Sequence, residues 1–282
     1  MHIYNEKLHL QLYYMKILII GGGNMGLTFA KSFLKTHIVS KENMLILEKS
    51  PEKADELRKL DIGTVYGKTG DYITTADLII LAVKPQDTSA LFSIIEPYID
   101  EQQVVLSIMA GVKIETIASQ LGTDKIIRAM PNLPAQIGAG MTVFTSSEAV
   151  TRIELVMVQN LLNSTGKSIY KESEDMIDAS TAISGSGPAY VFFFMQSLIE
   201  SAKEMGFSQS ESELLTFQTF RGAVELYNKN EISCEDWINK VSSRGGTTEA
   251  AFNKLEDFEI SDKFKIAVGQ ALVRAKELSQ LS

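Results

Sequence analysis

The chain is poor in the side chains that most often carry metal or redox chemistry. It has one cysteine, Cys234, and three histidines, His2, His9 and His37, among 282 residues. A single thiol closes no internal disulfide, no Cys/His cluster has the spacing of a metal site, and no metal is expected. A catalytic histidine needs a partner that fixes its tautomer; these three are scattered and read as surface groups. Basic residues are in deficit, 27 Lys and Arg against 35 Asp and Glu, for a formal net charge of −8. That balance excludes a broad cationic surface for nucleic acid. Long apolar runs are lacking too: none approaches the ~20 residues that cross a bilayer, so no membrane segment is expected. The opening "MHIYNEKLHLQLYY" lacks the charged-then-apolar order of a signal peptide. A reducing, cytoplasmic setting is the expectation that remains.

What is present is ordinary for a globular protein, with 45% hydrophobic and 22% charged residues. The length suits one large domain or two of medium size. Residues 1–14 precede Met15, which opens "MKILIIGGG" as a natural first strand. They read as an N-terminal extension, expected to be poorly ordered unless packed on something.

"KILII" (16–20) is a buried strand that runs directly into glycines, followed by the helical spacing of "LTFAKSFLK". Gly21, Gly23 and Gly26 fit G-x-G-x-x-G. The first permits the tight turn, the second lets backbone approach a pyrophosphate, and the third lets helix pack on strand. The helix N-terminus supplies N–H groups and a positive dipole end for phosphate. A second strand, "MLILE" (44–48), ends where such folds choose their cofactor. Glu48 there suits the ribose hydroxyls of NAD, while Lys49 and Ser50 suit the 2′-phosphate of NADP. The residues conflict; NADPH is the expected preference, with NADH also accepted. Further strand ends follow at "AVKP", "MAG" and "AMPN", and in open parallel sheets ligands bind beyond such ends. These features predict a Rossmann-type α/β domain, a mostly parallel doubly wound sheet over residues 15–172.

From residue 173 the apolar spacing is helical, which predicts an all-α domain over 173–282. "DMIDASTAISGSGPAYVFFFMQSLIESAKEMG" reads as one long helix, or one interrupted at its glycines and proline. Helices over "SESELLTFQTFRGAVELYNKN", "SCEDWINKVSS" and "SDKFKIAVGQALVRAKELSQ" follow. "FFFMQSLIESA" is apolar around its whole circumference, which so small a domain cannot cover alone, so a partner chain is expected. Between the last two stands "SSRGGTT" (242–248), a second glycine loop shaped for an anion.

The blocks "IIGGGNMG", "LAVKPQ", "SIMAGV", "IIRAMPN", "SGSGPAY" and "VSSRGGTTEA" occur in the order of one known family. The chain resembles pyrroline-5-carboxylate reductases over residue 15 to about 280, which reduce a cyclic imine to L-proline with NAD(P)H. The resemblance implies a helical domain that interlocks with its twin in a homodimer, sometimes in multiples of dimers. It implies cofactor contacts from Gly21, Gly23, Asn24, Met25, Gly26, Glu48, Lys49, Ser50, Thr69, Val83, Lys84, Pro85, Ala110 and Gly111. The substrate, a small molecule, would have its carboxylate held by the N–H groups of Gly246, Thr247 and Thr248. Glu231, Ser243 and Gly245 would line that site, with the Thr248 hydroxyl on the ring nitrogen as the catalytic contact. Three departures stand out: Thr69 falls where the family often has an asparagine, Arg244 replaces a usual proline, and Glu48-Lys49 replaces a common asparagine-arginine pair.

The chemistry agrees with this residue set. An iminium ion is already electrophilic, so orientation is the main task and no strong protein acid is required. β-Hydroxyacid dehydrogenases share the architecture but resemble one another in a lysine on the interdomain helix; residues 174–202 contain none. A non-catalytic dinucleotide sensor would be expected to show a degraded substrate loop, and "SSRGGTTEA" keeps its glycines and threonines.

Overall fold

The computed structural model describes residues 14–280, so the expected extension lies, apart from Tyr14, outside the described residues. The first half alternates strands and helices. In chain order these are β1 (Ile17–Ile20), α1 (Asn24–Lys35), β2 (Met44–Leu47), α2 (Pro51–Lys59), β3 (Thr64–Tyr66), β4 (Leu78–Leu81) and α3 (Thr88–Ile95). Then come β5 (Val104–Ser107), α4 (Ile114–Leu121), β6 (Ile126–Met130), β7 (Gly140–Ser146), α5 (Arg152–Asn163) and β8 (Gly166–Tyr170). They form one eight-stranded sheet in the order β3-β2-β1-β4-β5-β6-β7-β8.

All pairings are parallel except β6 with β7. The exception follows from chain length. The link from Met130 to Gly140 holds only a short 3₁₀ turn, too little for the crossover that a parallel neighbour needs. Alternate residues of each strand face opposite sides. Ile17, Ile19, Ile46, Ile80 and Leu106 pack with Phe29, Phe33 and Leu161 on one face. Leu18, Ile20, Ile79, Leu81 and Val105 pack with Phe92, Ile117 and Leu121 on the other. Burial on both faces explains the near-continuous apolar runs of the central strands. The three-residue β3 went unread in the sequence because its pattern is exposed, buried, half-buried.

The second half is helical: α6 (Asp175–Ser180), α7 (Gly187–Glu204), α8 (Gln209–Asn228), α9 (Cys234–Val241), α10 (Thr247–Asp257) and α11 (Ile260–Gln280). Between α6 and α7 runs a π turn, Thr181–Gly185, with the Ser186 N–H donating to the Thr181 carbonyl at 2.8 Å. The cause is legible in "SGSGPAY". Pro188 has no N–H to give the carbonyl four residues back, that of Ser184, so the helix must widen or break there. The Asn132 side chain satisfies that carbonyl instead, donating Nδ2–H at 2.9 Å, while its Oδ1 accepts from Met141 N–H at 2.8 Å.

By packing, the chain forms two compact units. The chain divides after Ser186, and the first unit regains the chain from Ala271 onward. An ion cluster accounts for this. Arg128 on β6, 1% exposed, donates to Glu174 at 2.9 Å and to Asp178 at 2.8 Å. Ser279, near the end of α11, donates to the same Asp178 oxygen at 2.8 Å and accepts from Arg128 at 3.3 Å. Leu278 covers Gly111, whose φ of +75° and lack of a side chain allow the approach. The last turns of α11 therefore belong to the sheet's unit although they follow the helical one.

Candidate functional site

The carboxyl ends of β1, β2, β3 and β4 surround a cavity of about 470 Å³. A larger cavity, about 920 Å³, lies at the opposite ends of the strands, beside Met15, Asp77 and Val104. Ligands of open parallel sheets sit at the carboxyl ends, and only the smaller cavity is there. Gly21 turns with φ +102°, and a Cβ on it would stand 2.6 Å from the Ala82 carbonyl oxygen. A Cβ on Gly26 would collide with the Gly21 carbonyl. Gly23 is different: its Cβ would meet nothing nearer than the Lys53 ammonium at 3.8 Å. The first and third glycines thus serve chain packing, and the second leaves open backbone at the N-cap of α1. That helix has no side-chain cap and no acidic residue in its first turn, so its N–H groups and dipole remain available for phosphate. The cradle fits a dinucleotide.

Of the expected cofactor residues, Gly21, Gly23, Glu48, Lys49, Thr69, Val83 and Lys84 line this one cavity. Ser50 caps α2, accepting from the Lys53 N–H at 3.3 Å. Pro85 opens the 3₁₀ turn after Lys84. Met25 packs on the core, while Asn24 faces a separate depression with Leu27 and Lys31. Ala110 and Gly111 sit in the β5–α4 loop, outside the cavity's lining. Lys53, Lys68, Leu91 and Ile94 line it as well and were not read from the sequence. Lys53 is separated from the fingerprint by 27 positions, so no local pattern signalled it.

Glu48 lines the cavity and is also tied to the backbone around it. It is 8% exposed, and its two carboxylate oxygens accept from Gly22 N–H and Ser50 N–H, both at 2.9 Å. It ties the end of β2 to the glycine loop. Glutamine keeps one carbonyl acceptor where the carboxylate has two, so Glu48→Gln should destabilise the fold by about 1.5–3 kcal/mol, the range for a hydrogen bond to a charged group. Urea unfolding checks this; an unchanged midpoint would mean that the strut is dispensable. Lys49 is engaged too, paired with Asp87 at 2.7 Å.

In the second unit, Ser243 to Gly246 form a turn closed by Gly246 N–H to the Ser243 carbonyl at 2.9 Å. Gly245 holds its third position at φ +75°, and Arg244 is not among the positive-φ residues, which makes it a type II turn. Proline is favoured at the second position of such turns, the place Arg244 takes. Arginine fits there without strain and gives up only the pre-set φ of proline. The turn delivers the chain into α10, with Gly246 as N-cap and no side-chain cap. The Gly245 N–H is used by Glu249, at 2.7 Å. Of the three N–H groups expected to hold a carboxylate, Gly246's is thus spent in the turn. Those of Thr247 and Thr248 are the unspent first donors of an 11-residue helix. Glu231 is exposed in the link between α8 and α9. Helix α10, which is not among the helices expected from the sequence, gives the loop its direction.

Two family models match: pyrroline-5-carboxylate reductase dimerisation over residues 174–278, and NADP oxidoreductase, coenzyme F420-dependent, over 16–111. Pyrroline-5-carboxylate reductase of Aquifex aeolicus is 32% identical over 273 residues, 96% of this chain and 100% of the relative. The chain belongs to the pyrroline-5-carboxylate reductase family. A solved pyrroline-5-carboxylate reductase from Coxiella burnetii superposes with a TM-score of 0.86 at 32% identity, covering 94% of this chain and 98% of its own. The Plasmodium falciparum pyrroline carboxylate reductase, solved with NADP bound, gives 0.86 at 28% identity, covering 95% and 99%. The two glycine loops fall one in each unit, and each precedes a helix N-terminus.

Proposed function

We propose that the protein reduces 1-pyrroline-5-carboxylate to L-proline with NAD(P)H. The observation that carries the reading is the pair of unspent N–H groups of Thr247 and Thr248 behind the two-glycine turn, in a chain whose other unit carries a dinucleotide cradle. Bound at the first cradle, the dinucleotide supplies the hydride. The chain's own part is orientation. Gly21 and Gly26 keep the first loop tight, and the open backbone at Gly23 with the N-terminus of α1 faces the pyrophosphate. At the second loop, Thr247 and Thr248 N–H bind the carboxylate of the imine, and the helix dipole of α10 adds to the attraction. The Thr248 hydroxyl steadies the ring nitrogen as its positive charge disappears. Holding the reactants in register can lower the barrier by several kcal/mol, which suits a site with no histidine or thiol acid.

The helical unit makes the protein a homodimer or a multiple of dimers in this reading, supported by the dimerisation family model and by the uncovered faces of α7 and α8. The cytoplasm is its place, in keeping with the lone thiol. Among the described residues, no helix is long and apolar enough to cross a membrane.

Following NADPH and NADH oxidation at 340 nm with pyrroline-5-carboxylate, against NADP+ and NAD+ reduction with a 3-hydroxyacid, tests the reading. Turnover with the hydroxyacid alone would overturn it. Thr248→Val should lower kcat/KM for the imine about ten- to a hundredfold, the equivalent of ~1.5–3 kcal/mol. Dinucleotide affinity, read by fluorescence titration, should stay nearly constant; an equal loss there would assign Thr248 to the cofactor instead.

A further inference from the structure

Of the residues that the sequence put forward for the 2′-phosphate, Ser50 has its hydroxyl engaged, donating to Glu52 at 2.9 Å and accepting from the Lys53 N–H at 3.3 Å. Glu48 is committed to two backbone N–H groups, and Lys49 is held by Asp87. Two other cations line the same cavity. Lys53 and Lys68 enter it from α2 and from the loop after β3, and among the described residues neither ammonium has an ion-pair partner. Lys53 reaches back toward the glycine loop, its ammonium 3.8 Å from where a Gly23 side chain would begin.

Lys53 also stands where a helix has least use for it. Ser50 is the N-cap and Pro51 begins α2, so Lys53 lies in the first turn. A cation there opposes the helix dipole, offset in part by Glu52 in the same turn, and a first-turn lysine that lines a cavity points to a ligand. Lys68 is braced for the same purpose. The rings of Tyr66 and Tyr72 stack at 3.6 Å and 5°, and the Tyr72 hydroxyl donates to the Lys68 carbonyl at 2.9 Å. The stacked rings close the five residues between them into a loop, which holds Lys68 and Thr69 at the cavity.

We propose that Lys53 and Lys68 form the 2′-phosphate site, so that this chain selects NADPH with two lysines from separate elements rather than with Glu48-Lys49. The two positive charges match a phosphate of about −2, and charge-assisted hydrogen bonds to it are the strong kind. The inference rests on the reductase reading only for its kinetic test.

The experiment uses the full-length protein and its Lys53→Ala, Lys68→Ala and Lys59→Ala variants. Lys59 lies at the far end of α2, exposed, and controls for net charge. The ratio of kcat/KM for NADPH over NADH should fall about tenfold for each of the first two, one charge-assisted bond apiece, and less than about twofold for Lys59→Ala. Isothermal titration of adenosine 2′,5′-bisphosphate should show the same losses, with 5′-AMP binding little changed. A ratio that does not move in the Lys53→Ala/Lys68→Ala double variant overturns the proposal. So does a parallel fall for both nucleotides, which would place the lysines on the pyrophosphate. If the imine is not reduced with either nucleotide, the proposed reaction fails, and the bisphosphate titration still decides the site.

Discussion

Phe193→Asp is expected to abolish assembly and activity together. Helix α7 contains no buried residue within its own chain, although its sequence is apolar on every side. Phe192 is 59% exposed, Phe193 66% and Leu198 43%. On α8, Leu214, Phe217 and Val224 are open to a similar degree. Contiguous apolar surface of this kind marks an interface. Covering one phenylalanine contributes about 1.5–3 kcal/mol per chain, and a buried carboxylate in its place adds a desolvation penalty. Phe193 is the cleaner probe. Its neighbour Phe194 meets Phe264 of the same chain edge-on, ring centroids 5.5 Å apart, so Phe194→Asp should damage the subunit's own packing as well. Light scattering at micromolar concentration should give a dimer or a multiple of dimers for the natural protein and a monomer for Phe193→Asp. A fully active monomer, seen by sedimentation under assay conditions, would sink this account of the helical unit.

Arg128→Met should destabilise the first unit by about 3–5 kcal/mol, the usual consequence of removing one partner from a buried ion pair. Methionine fills most of the volume, so the loss comes from charge. Asp178 is 5% exposed and would keep only the Ser279 hydroxyl as a neighbour. Glu174 would keep the Ile114 N–H, at 2.9 Å, which caps the start of α4. Urea unfolding at fixed protein concentration measures the effect. A loss below about 1 kcal/mol would show that the acids are neutralised without arginine. The same cluster governs truncation. A fragment of residues 1–165 retains the entire glycine fingerprint yet lacks Glu174, Asp178 and Ser279. It leaves Arg128 without these partners. The fragment is therefore expected to bind dinucleotide only weakly, and less well than a first unit that includes α6 and the last turns of α11.

Much of the fold was legible because its signals are local. Strands β1, β2, β4 and β5 are short apolar runs ending in glycine, proline or a charge, and a parallel sheet buried on both faces writes itself that way. Gly21, Gly23 and Gly26 carry their geometry in their spacing, and the paired glycines of "SSRGGTT" announce a loop. The change at residue 173 from strand to helix period was readable for the same reason, as was the excess of apolar surface on α7. These features depend on neighbours within one turn or one strand, and the sequence by itself determined them. The tertiary structure alone decided the rest. Glu48 meets Gly22 across 26 positions, Arg128 meets Ser279 across 151, and Lys53 reaches the glycine loop from another helix. A carboxylate at the end of β2 looks the same in sequence whether it reads a ribose or braces a loop. Which it does depends on the backbone N–H groups that folding brings within 3 Å, and no periodicity encodes those.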